Sequence, residues 1–141
     1  MKKLYPLILD DGGRNLSKRP MQINDCAVRA LAILSEIPYD AIYDELALAG
    51  RKSFDGFEIE PWLKKNNGKK LGGKFKKVNP KLPTPEYVHV YYDTGKYLLI
   101  SSTHTWAMVD GTSRDLWRFP QDEPLYSVWK FTKSNEPKKS I

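Results

Sequence analysis

Three residues have the types of a nucleophile, its base and the group that orients the base: Cys26, His104 and Asp115. Cys26 is the only cysteine, and it lies in "MQINDCAVRALAIL", Met21 to Leu34, where a polar loop turns into a helical pattern. A helix start carries unbonded N–H groups and the positive end of the macrodipole, and both favour an anion. A cysteine at the first helical position therefore forms a thiolate more readily than a free one. To act on a carbonyl it needs a histidine, and the histidine needs a carboxylate or amide. The bland alternatives are equally concrete. A lone cysteine usually packs as a small apolar group, His104 can bond its neighbours Ser102 and Thr103, and Asp115 can pair with Arg114 or Arg118.

The elements that must position these groups can be read from local pattern. The first helix begins at "NDC", with Asn24 or Asp25 as its cap. Ala27, Ala30, Leu31 and Leu34 fall on one apolar face, and Arg29 is the only charge before Glu36. In the second half, "KYLLISSTHTWAMVDGTSRDLWRF" reads as a strand, a second strand, a turn at Asp110-Gly111 and a third strand. A two-residue turn there sets Val109 opposite Thr112, Met108 opposite Ser113 and Trp106 opposite Asp115. His104, Trp106 and Met108 then share a face with Ser113, Asp115 and Trp117. Asp115 becomes a diagonal neighbour of His104, roughly 7–8 Å away between Cα atoms, whereas Asp110 sits at the turn tip.

"NDCAVRALAIL" and the later "STHTWAMVDGTSRD" together resemble the papain-like cysteine peptidase superfamily. The likeness is to its small branch, which includes the bacteriocin leader peptidases, and to short phage and bacterial proteins with an "NDC…RALA" helix. It covers about a third of the chain. The resemblance implies a Cys26-His104-Asp115 triad and hydrolysis or acyl transfer at an amide, peptide or isopeptide bond of a protein or peptide. It also implies an amide donor upstream of the cysteine for the oxyanion, for which Gln22 is the candidate and Asn24 the substitute. Leader peptidases carry Gly after the cysteine, where this chain has Ala27, and their glutamine lies further upstream than Gln22. The alternative is a non-catalytic binding protein on the same fold, such as a phage-encoded modulator of a host protein or nucleic acid.

The remaining chain reads as one α+β domain over residues 1–133, with N-terminal helices packed on a C-terminal antiparallel sheet, and a polar, flexible tail over 134–141. "YDAIYDELALAG" is a second helix capped by Asp40 and stopped by Gly50. "EPWLKKNNG" is a short third. "TPEYV" has a helix start at Thr84-Pro85, yet "YVHVYY" has strand propensity, and the choice stays open. Leu4 to Leu9 reads as a strand, too short and broken by Pro6 for an export signal. "PLYSVWKFT" is the last strand. Trp106, Trp117 and Trp129 are expected in the core, and His89 is expected to pack.

The 141 residues carry a formal charge of +6. Between Pro61 and Pro85 stand eight lysines and no acid, while acids gather in "DELALAG" and "DGFEIE". The Lys64–Lys81 segment, with Lys69, Lys70, Lys76 and Lys77 as candidate contacts, suits an acidic protein or a nucleic acid. A solvated loop is the plainer reading, and "KFKKV" could be an edge strand guarded by lysine. One cysteine and two histidines are poor material for zinc, so no metal or cofactor is expected. With no disulfide and no apolar run of membrane-spanning length, no membrane association is expected and the expected location is the cytoplasm, a host's if the chain is phage-encoded.

Overall fold

The structure is a computed structural model that describes residues 5–134. Its elements run β1 (Leu7–Leu9), α1 (Cys26–Ser35), α2 (Tyr39–Leu48), α3 (Glu60–Lys64), β2 (Gly73–Val78), α4 (Pro85–Tyr91), β3 (Lys96–Ile100), β4 (Thr105–Val109), β5 (Thr112–Asp115) and β6 (Ser127–Lys133), with short 3-10 turns at Arg14–Leu16 and Asn67–Leu71. The tail expected over 134–141 falls, beyond Ser134, outside the described residues.

The chain is α+β, but its sheet is mixed rather than antiparallel. The strand order is β1-β5-β4-β3-β6-β2, and β1 runs parallel to β5, with Leu7 opposite Ser113 and Leu9 opposite Asp115. Two strands, β1 and β2, also precede the last helix, α4. A three-residue strand can join an edge in either sense, and the partner of Leu7–Leu9 lies about a hundred positions away, beyond the reach of local pattern.

Both faces of the sheet are covered. On one, Ala27, Ala30, Leu31 and Leu34 of α1 pack with Ile42 and Leu46 of α2 and Trp62 of α3 against Leu98, Ala107, Trp129 and Phe131. On the other, Val88 of α4 packs with Phe119 and Leu125 against Leu99, Trp106, Met108 and Val128. The open segment "TPEYVHVYY" is thus a helix. The Thr84 side chain accepts the Tyr87 N–H and Pro85 opens the first turn, and burial of Val88 outweighs the strand propensity of the valines and tyrosines.

Several local expectations need correction. Asp40 does not cap α2. Pro38 holds that position, and the Asp40 carboxylate accepts the Lys18 N–H at 2.9 Å and meets Arg19 at 2.5 Å. Asp25 does stand at the start of α1, yet its side chain caps nothing, because it is committed to a buried ionic network. Gly68 does not end the third helix; it lies inside the following 3-10 turn. Trp106 and Trp129 are core residues, but Trp117 is 49% exposed.

The β1–α1 loop lies on the back of α1. Gly12 has φ +69°, and a Cβ there would sit 2.8 Å from the Arg29 carbonyl oxygen. Left-handed backbone and contact with a helix both demand glycine. Gly12→Ala is expected to cost about 2 kcal/mol or more, since the clash is with backbone and adds to the strain of the left-handed conformation. Urea unfolding of the purified variant measures it.

Candidate active site

Cys26 is the first residue of α1 and is partly buried. The first bond of the helix runs from the Arg29 N–H to the Asp25 carbonyl at 2.9 Å. The N–H groups of Cys26, Ala27 and Val28 precede it and gather at the sulfur's end of the helix. Asn24, just upstream, has φ +54°, a conformation asparagine tolerates better than most residues.

His104 lies one residue before β4, and Asp115 is the last residue of β5. The hairpin between them follows the two-residue count, with Val109 opposite Thr112 and Met108 opposite Ser113. Asp110 and Gly111 both have positive φ, 50° and 78°, as the favoured hairpin turn requires. The antiparallel pairing brings the start of β4 and the end of β5 to one end of the sheet, where α1 also begins. His104 Nε2 meets Asp115 Oδ2 at 2.6 Å, both side chains buried. The other ring nitrogen remains for the thiol: Cys26 and His104 line the same cleft, and each shifts the other's pKa. Asp110 instead accepts the Gly95 N–H at 2.7 Å, at the hairpin tip.

The imidazole is held on all sides. The His104 backbone N–H donates to Ser101 Oγ at 3.0 Å, and the ring bonds Asp115 in place of the alternative partners Ser102 and Thr103. Its ring stacks with Trp117 at 4.8 Å, Trp106 at 5.5 Å and Phe119 at 5.9 Å between centroids. Trp117 escapes the core because β5 ends at Asp115, so the strand alternation that would have turned it inward stops two residues earlier. It covers the histidine and stays half open to solvent.

Asp115 has a second partner that the sequence pattern did not point to. Arg29 Nη1 meets Asp115 Oδ1 at 2.8 Å, and Arg29 Nε meets Asp25 Oδ1 at 3.0 Å, with all three side chains buried. Asp25 also binds Arg14 Nη1 at 3.0 Å and accepts the Tyr39 hydroxyl at 2.7 Å. The line Arg14, Asp25, Arg29, Asp115, His104, Cys26 alternates in sign from one group to the next. A signal existed in the sequence. Arg29 is the lone charge in an apolar helix, four residues after Asp25, and a buried guanidinium needs carboxylates.

The electrostatics follow from these contacts. Burial pushes the Cys26 thiol up, but the hydrogen bond and charge of His104, the Thr105 N–H and the charge of Arg29 outweigh it, so its pKa is lowered. Burial pushes His104 down, but hydrogen bonds to Asp115 and Cys26 and their charges carry it up to about 9. As pH rises the thiol loses its proton early and the imidazolium late, which is the order a thiolate–imidazolium pair requires.

The sulfur opens into a cleft of about 340 Å³, lined by Cys26, His104, the 101–105 backbone turn, Phe57, Ile59, Ile100 and Tyr126, and by the acids Glu58 and Glu60. The two oxyanion candidates point elsewhere. Gln22 is buried, donates Nε2 to Ser53 Oγ at 3.2 Å and accepts the Phe54 N–H at 2.6 Å. Asn24 Nδ2 donates to the Phe54 carbonyl at 2.8 Å. Both amides fasten the 51–54 loop to the helix start, which leaves the helix N–H groups as the oxyanion donors in reach.

The candidate lysines separate. Lys69 and Lys70 lie on a 3-10 turn, and Lys70 pairs with Glu45 at 3.1 Å. Lys76 and Lys77 lie on β2, which is an edge strand. His89 packs against the hairpin, its Nδ1 2.6 Å from the Gly111 carbonyl. Among the described residues, no helix is long and apolar enough to cross a membrane.

Comparisons with family models, curated proteins and solved structures give no match to this chain.

Asp115 rather than Asp110 is predicted to govern the thiol. In Asp115→Asn an amide oxygen can still accept the imidazole N–H, but the negative charge is gone. The histidine then loses its proton at lower pH, the thiolate loses its partner, and the inflection of Cys26 alkylation moves up toward the ordinary thiol value. Asp110→Ala should disturb the turn and leave that inflection in place. Rates of iodoacetamide labelling across pH check both.

Proposed function

We propose that the protein is a papain-like thiol hydrolase or acyl transferase acting on an amide, peptide or isopeptide bond. The observation that carries this is His104, bonded to the buried Asp115 at 2.6 Å and lining one cleft with Cys26 at a helix start, where it helps to lower the thiol's pKa.

These groups suffice for the chemistry. The Cys26 thiolate attacks the carbonyl carbon, a C–S bond forms, and the oxyanion faces the free N–H groups at the start of α1. The His104 imidazolium gives its proton to the leaving nitrogen as the C–N bond breaks, leaving a thioester and a free amine. Water then attacks, His104 takes its proton, the C–S bond breaks, and a carboxylic acid leaves with the thiolate–imidazolium pair restored. An amine in place of water gives acyl transfer. Asp115 keeps the ring oriented and stabilises its charge, and Trp117 shields it from solvent.

Cys26 labelling tests the proposal, because an ion-paired thiolate reacts with iodoacetamide at pH 6–7 far faster than a free thiol. Slow, exposure-limited labelling would instead fit a binding role.

One observation favours such a role as a second reading. Lys76 stands directly opposite Lys130 across the β2–β6 ladder, and like charges so placed repel unless an anion lies over them. Replacing Lys69, Lys70, Lys76 and Lys77 with Gln should weaken retention on heparin or single-stranded DNA columns. The slope of affinity against salt should fall by about 0.7–0.9 for each phosphate that is no longer neutralised. No retention at low salt by the wild type would remove this reading.

A further inference from the structure

The acidic segment "DGFEIE" forms one wall of the cleft that holds the thiol. Glu58 and Glu60 both line it, together with Phe57, Ile59 and Tyr126. Glu58 is exposed, Glu60 is half-buried at the first turn of α3, and Tyr126 is 71% exposed. Neither carboxylate has an ion-pair partner among the described residues. Glu58 also lines a neighbouring groove with Lys65 and Lys70, and Lys70 is already engaged by Glu45. In a chain of net charge +6, two free carboxylates beside the reactive sulfur run against the overall field.

Resting on the thiol-hydrolase reading, we propose that this wall selects the substrate: a peptide whose lysine or arginine side chain lies next to the scissile carbonyl. The stem of such a side chain fits the apolar surface of Phe57, Ile59 and Tyr126 while its cationic head meets the two carboxylates. His104, which also lines the cleft, carries positive charge when protonated and repels the same head. A cationic side chain is thereby sorted to the glutamate side, and the carbonyl to the sulfur. Low-dielectric walls on both sides strengthen the local field over the long-range repulsion of the chain.

Charged thiol reagents read the wall without a known substrate, since Cys26 is the sole cysteine. The thiolate attacks a methanethiosulfonate, a mixed disulfide forms and methanesulfinate leaves. The trimethylammonium-ethyl and sulfonato-ethyl reagents are compared on the wild type and on Glu58→Gln/Glu60→Gln, each rate divided by that of uncharged methyl methanethiosulfonate on the same protein. The wild-type ratio of cationic to anionic rate should exceed that of the double variant by roughly ten-fold, the scale of two carboxylates lining the same cleft as the thiol, and the gap should shrink in high salt. Equal ratios with a fast uncharged reaction overturn the wall and leave the thiol reading standing. An uncharged reaction as slow as that of an ordinary thiol overturns both.

Discussion

Arg29→Ala is expected to destabilise the domain by about 3–5 kcal/mol, the usual cost of removing one member of a buried ionic group. The guanidinium touches two buried carboxylates, Asp115 at 2.8 Å and Asp25 at 3.0 Å. Asp25 would retain Arg14 and Tyr39, and Asp115 would retain His104, so the network would be cut in the middle. A thermal midpoint lower by roughly 10–20 °C corresponds to that loss in a domain of this size. Arg29→Lys keeps the charge but lacks the planar fork that spans both carboxylates, and it should recover less than half of the loss. The chemistry should change too, because the Arg29 charge helps to lower the Cys26 pKa. Thermal unfolding followed by circular dichroism gives the first effect. A midpoint within a few degrees of wild type would show that the network contributes little.

Cys26→Ala is expected to abolish hydrolysis and His104→Ala to reduce it by at least about four orders of magnitude, since members of such a unit fail together rather than additively. The two variants separate chemistry from folding. Cys26 is partly buried at the first helical position, where alanine is well tolerated, so Cys26→Ala should keep its thermal midpoint within a few degrees. His104→Ala leaves the Asp115 carboxylate with Arg29 and the Leu116 N–H as partners and empties the space among Trp106, Trp117 and Phe119, so it should also lose stability. Turnover of a peptide library followed by mass spectrometry checks the activity. Undiminished turnover in Cys26→Ala would remove the nucleophile.

The parts legible in the sequence are those written in short windows. Asp110-Gly111 between apolar alternations specifies the hairpin, and the hairpin specifies that His104 and Asp115 meet. The polar-to-helical change at Asn24-Asp25-Cys26 places the cysteine at a helix start. The illegible parts depend on partners far along the chain. Asp25 and Arg29 sit in plain view, but their use depends on Arg14, Tyr39 and Asp115 arriving from three other elements. Gln22 and Asn24 look like oxyanion donors until the 51–54 loop folds over them. Leu7–Leu9 cannot announce a parallel partner, and Trp117 follows the strand pattern in the sequence although the strand has already ended.

The proposed chemistry depends on the Cys26 thiol and the His104 imidazole sharing their proton in favour of the ion pair. The rate of iodoacetamide alkylation of Cys26, followed by intact mass from pH 4 to 10, reads that sharing without a substrate. An ion pair gives an inflection below the ordinary thiol value of 9.0, rapid labelling at neutral pH, and a second change near 9 as His104 loses its proton. Labelling that rises through a single inflection at or above 9.0, unchanged in His104→Ala, would contradict it.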